Sequence, residues 1–157
     1  MALRSQLFKA VNQATGSYFV IKKTITSSGL LTTAQDLTTV ANRGELEVVQ
    51  IIVKTDSTGL AGATNLEILS NNAKGQVNIA VAAVSGLGAS KTKVMVGGSD
   101  DSTTDDNFFE ITGRGTVLEA GKKLQYIGTG SAGTGAGTID VYVMFRRLSD
   151  GATCTVA

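Results

Sequence analysis

Histidine, proline and tryptophan are absent from this chain of 157 residues, and Cys154 is its only cysteine. Without histidine, the chain can form neither a Ser-His nor a Cys-His nucleophile pair. It also cannot form a zinc site with a histidine ligand. A single cysteine permits neither an internal disulfide nor a cysteine cluster. We therefore expect a protein that is not an enzyme and needs no cofactor. A hydrolase built on two carboxylates stays open as an alternative, although no pattern here pairs acidic residues for that chemistry.

A charge excess and long apolar runs are also missing. The 14 basic and 13 acidic residues give a net charge of +1, so no strong field would attract nucleic acid or an anionic membrane. The longest apolar runs, residues 51–53 and 80–84, fall far short of the roughly 20 residues of a spanning helix. Residues 1–10 lack the apolar core of a secretory signal. We expect one soluble domain, assembled in a cytoplasm, with neither a membrane nor nucleic acid as partner.

Glycine is abundant, with 19 residues, and clusters of glycine, serine and threonine separate short segments rich in β-branched side chains. The sequence predicts strands over residues 18–26, 45–54, 65–70, 76–84, 91–96, 108–112, 116–119, 122–127 and 138–148. This spacing predicts an all-β fold, an antiparallel β-sandwich or jelly roll of about eight or nine strands, with a barrel as the alternative. We expect residues 17–157 to form a single domain and residues 1–16 to form an N-terminal arm.

The last predicted strand alternates most clearly between apolar and polar positions. Ile139, Val141, Val143 and Phe145 share one face, which predicts that this face is buried. The same argument, applied to the other strands, gives a predicted core of Val49, Ile51, Val53, Leu66, Ile68, Val77, Ile79, Val81, Ile139, Val141, Val143 and Phe145.

Residues 128–133 match the pattern G-x-G-x-x-G of dinucleotide-binding sites. In such a site the last glycine begins a helix, whereas here the chain continues into a predicted strand. We therefore interpret the segment as a flexible glycine-rich loop between two strands.

Four carboxylates cluster in a predicted loop after residue 96. Clustered aspartates on a flexible loop can bind Ca²⁺, although the EF-hand pattern is absent. A solvated surface loop is the simpler interpretation, and a weak calcium site is the alternative. The candidate ligands are Asp100, Asp101, Asp105 and Asp106.

Apolar residues on faces that should be wet suggest a protein partner. Val48 and Ile52 lie opposite the predicted buried face of their strand, as Tyr142 and Met144 do in the last strand. Such a face is covered either by another protein or by a loop of the same chain, for which residues 27–43 are long enough. The arm adds apolar anchors that could reach a neighbour. The interface candidates are Leu3, Leu7, Phe8, Val11, Val48, Ile52, Tyr142 and Met144.

The amino-acid sequence of several segments resembles that of small all-β structural proteins of tailed-bacteriophage virions. These are above all capsid cement or decoration proteins and related head or tail accessory proteins. The resemblance lies in residues 44–55, 59–67, 71–75, 118–124 and 138–147. It implies a non-enzymatic protein, located in the virion after assembly in the host cytoplasm, which binds and stabilises the capsid. Its expected partners are the major capsid protein or another virion protein and further copies of itself, with a homotrimer favoured. The alternatives are a phage tail or fibre accessory protein and a β-sandwich module that binds carbohydrate or a cell surface.

Overall fold

The computed structural model describes residues 14–71, 77–84, 87–96, 110–111 and 116–157. Within these residues the protein is all-β, with one turn of 3-10 helix at Ser27–Gly29. No helix in the described part of the chain has the length and apolar character needed to cross a membrane. The strands are β1 (Tyr18–Thr26), β2 (Gln35–Asp36), β3 (Leu46–Thr55), β4 (Asn65–Ser70), β5 (Val77–Ala83), β6 (Thr92–Val96), β7 (Glu110–Ile111), β8 (Thr116–Leu118), β9 (Leu124–Thr129) and β10 (Thr138–Arg147).

These strands form two antiparallel sheets. Sheet I has the order β1-β10-β3-β6, and β8 also pairs with β3, whereas sheet II has the order β2-β9-β4-β5-β7. Among the described strands, the chain crosses from one sheet to the other at every connection except that between β4 and β5. The predicted antiparallel β-sandwich is confirmed.

The inner faces of the two sheets meet in one hydrophobic core. Along β10, buried residues alternate with half-buried ones over the whole strand, because successive side chains of a strand point to opposite faces. Most of the predicted core is confirmed, with Ile51, Val53, Leu66, Ile68, Ile79, Ile139, Val141, Val143 and Phe145 all buried. Val81 is half-buried, so its assignment to the core is wrong, and the side chain of Val77 lies outside the described residues.

The alternation in β3 changes phase at a β-bulge. Met144 pairs with Gln50 while Phe145 pairs with Val48, so Val49 has no partner on β10. An extra residue in one strand shifts all side chains beyond it to the other face. Val48 is therefore in the core, with 3% of its surface exposed, and Val49 is half-buried. The prediction had these two residues reversed, and Val48 is wrong as an interface candidate.

The loop of residues 27–43 belongs to the core and to sheet II. Its apolar residues Leu30, Leu37 and Ala41 are buried in the core. The backbone amide of Leu37 donates to the carbonyl oxygen of Leu124 at 2.9 Å, and the loop contains the short strand β2, which the sequence did not predict. These contacts place those three side chains between the sheets, whereas Leu31 and Val40 of the same loop are exposed.

The segment of residues 128–133 ends β9, to which Gly128 and Thr129 belong, and begins the loop that leads into β10. The interpretation as a glycine-rich loop between two strands therefore holds for residues 130–133. The amides of Gly128 and Gly133 donate to the carbonyl oxygens of Leu31 and Leu30, each at 2.7 Å. A Cβ atom at Gly133 would collide with the backbone of Ser27, so the close approach of the two chain segments requires glycine there.

Candidate interaction surface

The solvent-facing side of sheet I is the candidate functional site, and we call it the outer face. Its side chains come from alternate positions of the three long, neighbouring strands β1, β10 and β3. They are Tyr18, Val20, Lys22, Thr24, Glu47, Gln50, Ile52, Lys54, Asp140, Tyr142, Met144 and Arg146.

The strand register places the apolar residues of the outer face next to one another. Val20 pairs with Met144, and Tyr142 pairs with Ile52, on neighbouring rows of the sheet. Tyr18 extends this group along β1. We call these five residues the apolar stripe. Tyr18 is 58% exposed and Val20 53% exposed, whereas the other three are half-buried.

The sequence predicted part of this stripe. Ile52, Tyr142 and Met144 were interface candidates, and the structure brings all three together. Tyr18 and Val20 were not among the interface candidates. The available signal was their alternation with the apolar Phe19 and Ile21, which gives that strand two apolar faces.

A charged network bounds the stripe on one side. The Lys22 ammonium lies 2.8 Å from a carboxylate oxygen of Asp140 and 5.6 Å from the centre of the Tyr142 ring. The hydroxyl of Thr24 donates to the other carboxylate oxygen of Asp140 at 2.6 Å. Burial alone would raise the pKa of Asp140, but the hydrogen bonds from Lys22 and Thr24 outweigh it and lower that pKa. The network therefore keeps Asp140 ionised and Lys22 in place.

An ion pair bounds the stripe on the other side. Nε of Arg146 lies 2.5 Å from a carboxylate oxygen of Glu47, the residue that pairs with Arg146 on the neighbouring strand β3. Both side chains are half-buried, and their fixed charges restrict which partner surface can fit beside the stripe.

The remaining interface and metal candidates cannot be placed. Leu3, Leu7, Phe8 and Val11 lie outside the described residues, so the N-terminal arm stays a prediction. Asp100, Asp101, Asp105 and Asp106 also lie outside them. Within the described ranges, no group of three or more His, Cys, Asp or Glu residues could hold a metal ion.

The carboxylate of Asp56 holds a loop together. One of its oxygens accepts hydrogen bonds from the amides of Thr58 and Gly59 at 2.8 and 2.7 Å, and the other accepts from the amide of Thr138 at 2.9 Å. The amides of Gly59 and Thr58 lower the pKa of this carboxyl group. Asp56 thus fixes the chain after β3 to the start of β10.

Cys154 and Arg147 lie at one end of the core. Burial raises the pKa of the Cys154 thiol to about 12, so it carries no thiolate to act as a nucleophile at neutral pH. The guanidinium of Arg147 lies 4.3 Å from the centre of the Phe19 ring, which stacks on Phe145 at 5.3 Å. Nη1 of Arg147 also donates a hydrogen bond to the hydroxyl of Ser17 at 3.1 Å. These contacts pack the end of the sandwich.

Comparison with family models, with curated proteins and with solved structures found no match for this chain. Function is therefore inferred from the outer face itself and from the arrangement of the strands.

Proposed function

We propose that this protein is a non-enzymatic structural protein of a tailed-phage virion, which binds the capsid as a homo-oligomer and stabilises it as a cement or decoration protein. The observation that carries the proposal is the apolar stripe on the outer face of sheet I. One face of an antiparallel sheet is commonly wet and polar, so a stripe of apolar side chains there favours contact with another protein.

The composition of the outer face suits a permanent contact with a large surface. Tyrosine and methionine are enriched at protein interfaces, and the ion pairs at both ends of the stripe resemble a polar rim. Association would remove the exposed rings and methyl groups from water, while the fixed charges of Lys22, Asp140, Arg146 and Glu47 would set the register.

The strand order supports a jelly-roll topology. Four strands in the order β1-β10-β3-β6 face four in the order β2-β9-β4-β5, and the β4–β5 hairpin interrupts an otherwise regular alternation between the sheets. Two interleaved Greek keys give this arrangement, and it recurs in viral capsid domains and in lectins. The support is by analogy of fold, since one fold serves many functions.

The contacts of the described aspartates support a structural role. Asp36 pairs with Lys123, Asp140 with Lys22, and Asp150 accepts hydrogen bonds from Thr15. Asp56 closes its loop in the same way. Each of these carboxylates is engaged in holding strands or turns together.

Capsid binding can be tested by co-sedimentation. Empty capsids assembled from the major capsid protein encoded nearest to this gene should carry the protein into the pellet. Met144→Glu places a charge in the middle of the stripe and should weaken binding at least about tenfold, because the charge must be desolvated on contact.

Ile127→Glu is the matched control for this test. Ile127 is half-buried on β9 and alternates with the buried Tyr126 and Gly128, so it faces outward from sheet II. Its replacement should leave binding unchanged. Failure of the unmodified protein to sediment with capsids, or equal losses in the two variants, would contradict the proposal.

A carbohydrate-binding module is the second candidate, and the exposed ring of Tyr18 favours it. An aromatic ring beside polar side chains is a common sugar platform, and 58% of Tyr18 is exposed. A glycan array would show binding that Tyr18→Ala abolishes if this alternative holds, and no binding if it does not.

A further inference from the structure

The free edges of the two sheets are unequal. In sheet II the two edge strands, β2 and β7, have two residues each. In sheet I, β6 and β8 both pair with the same side of β3 and form one edge; β6 has five residues and β8 has three. The remaining edge is β1, with nine residues. Proteins commonly protect edge strands by keeping them short, so β1 is the exception among the strands that the structure describes.

The backbone of β1 offers regular hydrogen-bonding groups at this edge. The amide of Arg147 donates to the carbonyl oxygen of Ser17, and the amide of Ser27 donates to that of Gly137. Hydrogen-bonded pairs recur at every second residue of an antiparallel ladder, so the odd-numbered residues of β1 bond to β10. The amide and carbonyl groups of Val20, Lys22 and Thr24 therefore point away from β10, where no described strand pairs with them.

Two other protective devices, proline and a β-bulge, are missing from β1. The chain contains no proline, and the register between β1 and β10 runs through the strand without a bulge. Lysines usually guard an edge by repulsion. Here the ammonium of Lys22 is paired with Asp140, and that of Lys23 donates to the backbone oxygen of Ala157. The ion pair with Asp140 compensates the charge of Lys22, and a hydrogen bond holds the Lys23 side chain in place.

We propose that β1 binds β1 of a second copy of this chain, antiparallel and across a twofold axis, so that two sheets I join in one continuous sheet. The self-complementary register places Val20 opposite Val20 of the second copy. Lys22 then faces the ring of Tyr18 of the second copy, which suits a cation. Placing Lys22 opposite itself would bring two like charges together and is disfavoured.

A second copy fits this edge better than an acidic peptide does. Asp140 compensates the charge of Lys22, which weakens the attraction for an acidic ligand, whereas Tyr18 and Val20 leave the most exposed apolar surface on the strand. Pairing about a twofold axis places these residues of the two copies side by side and forms about six backbone hydrogen bonds.

The pairing deepens the proposed function and rests on its self-association, but not on capsid binding. Two outer faces would lie side by side on one sheet, and the two apolar stripes would form one surface of doubled area. The inference specifies two copies, in place of the three expected from the resemblance.

The oligomeric state tests the proposal on the purified full-length chain. Light scattering after gel filtration should give about twice the chain mass of 16.1 kDa. Val20→Lys places two cations opposite each other and should raise the dimer dissociation constant about tenfold or more. Ile127→Lys, on the outward side of sheet II, should leave the dimer intact. Thermal melting of both variants verifies that they fold.

Cysteine cross-linking tests the register. In Val20→Cys the two Cα atoms would be about 5.5 Å apart, within the range of a disulfide, so mild oxidation should give a covalent dimer. In Lys22→Cys the corresponding residues would be about 13 Å apart or more, and no cross-link should form. A monomer, a trimer, or equal cross-linking of the two variants would overturn the proposal. Capsid co-sedimentation is measured separately, so the pairing of β1 and the binding to capsids can each be contradicted without the other.

Discussion

Neighbouring residues of β10 have opposite environments. Phe145 is fully buried and stacks on Phe19, whereas Met144 lies half-buried on the outer face. Phe145→Asp should lower the free energy of unfolding by at least about 3 kcal/mol, because it removes a large core side chain and buries a charge without a partner. Met144→Asp should lower it by about 1 kcal/mol or less. Urea denaturation measures both values, and similar losses would show that the strand is assigned the wrong face.

Asp56 gives the protein a specific acid sensitivity. Its pKa is lowered in the folded state by the amides of Gly59 and Thr58, so its charge stabilises the fold above the unfolded pKa of about 3.8. That stabilisation is lost as the pH falls through the folded pKa, because the protonated carboxyl group accepts these hydrogen bonds less well. Asp56→Asn should therefore melt below the unmodified protein at neutral pH.

The difference in melting temperature should shrink as the pH falls below 3.8, because the protonated aspartic acid then resembles asparagine. Differential scanning fluorimetry at several pH values measures it. The other carboxylates are common to both proteins and cancel in the comparison. A difference that stays constant with pH would mean that the charge of Asp56 does not stabilise the loop.

At the scale of elements, the bulge in β3 decides which valine is buried. Val48→Asp should destabilise the protein by several kcal/mol, since Val48 is in the core, while Val49→Asp should cost much less. The two variants have the same composition, so their urea denaturation curves compare position alone. A larger loss of unfolding free energy in Val49→Asp would mean that β3 has no bulge and follows the uninterrupted alternation predicted from the sequence.

Long alternating strands could be predicted from the sequence and irregular ones could not. The predicted bounds of β1 and β4 match the structure, and those of β10 differ by one residue, because alternation over many residues has few interpretations. The two-residue strand β2 has no pattern of its own and exists because β9 pairs with it. The bulge opposite Met144 and Phe145 likewise depends on pairing between distant strands, which a local pattern does not contain.

At the scale of the whole molecule, the two sheets present different surfaces. The sequence indicated an apolar outer face from Ile52, Tyr142 and Met144, but the alignment of β1 with β10 adds Tyr18 and Val20. Only the strand order shows that β1 is the long free edge among the described strands. The stripe and the edge are therefore tertiary features, and together they define the surface on which the proposed function depends.

Cryo-electron microscopy of capsids incubated with this protein tests the central claim most directly. The account predicts added density on the outer surface of the capsid, into which the β-sandwich fits with the apolar stripe of sheet I against the lattice. Density with sheet I turned to solvent, or capsids that carry no added density at a saturating concentration of protein, would contradict it.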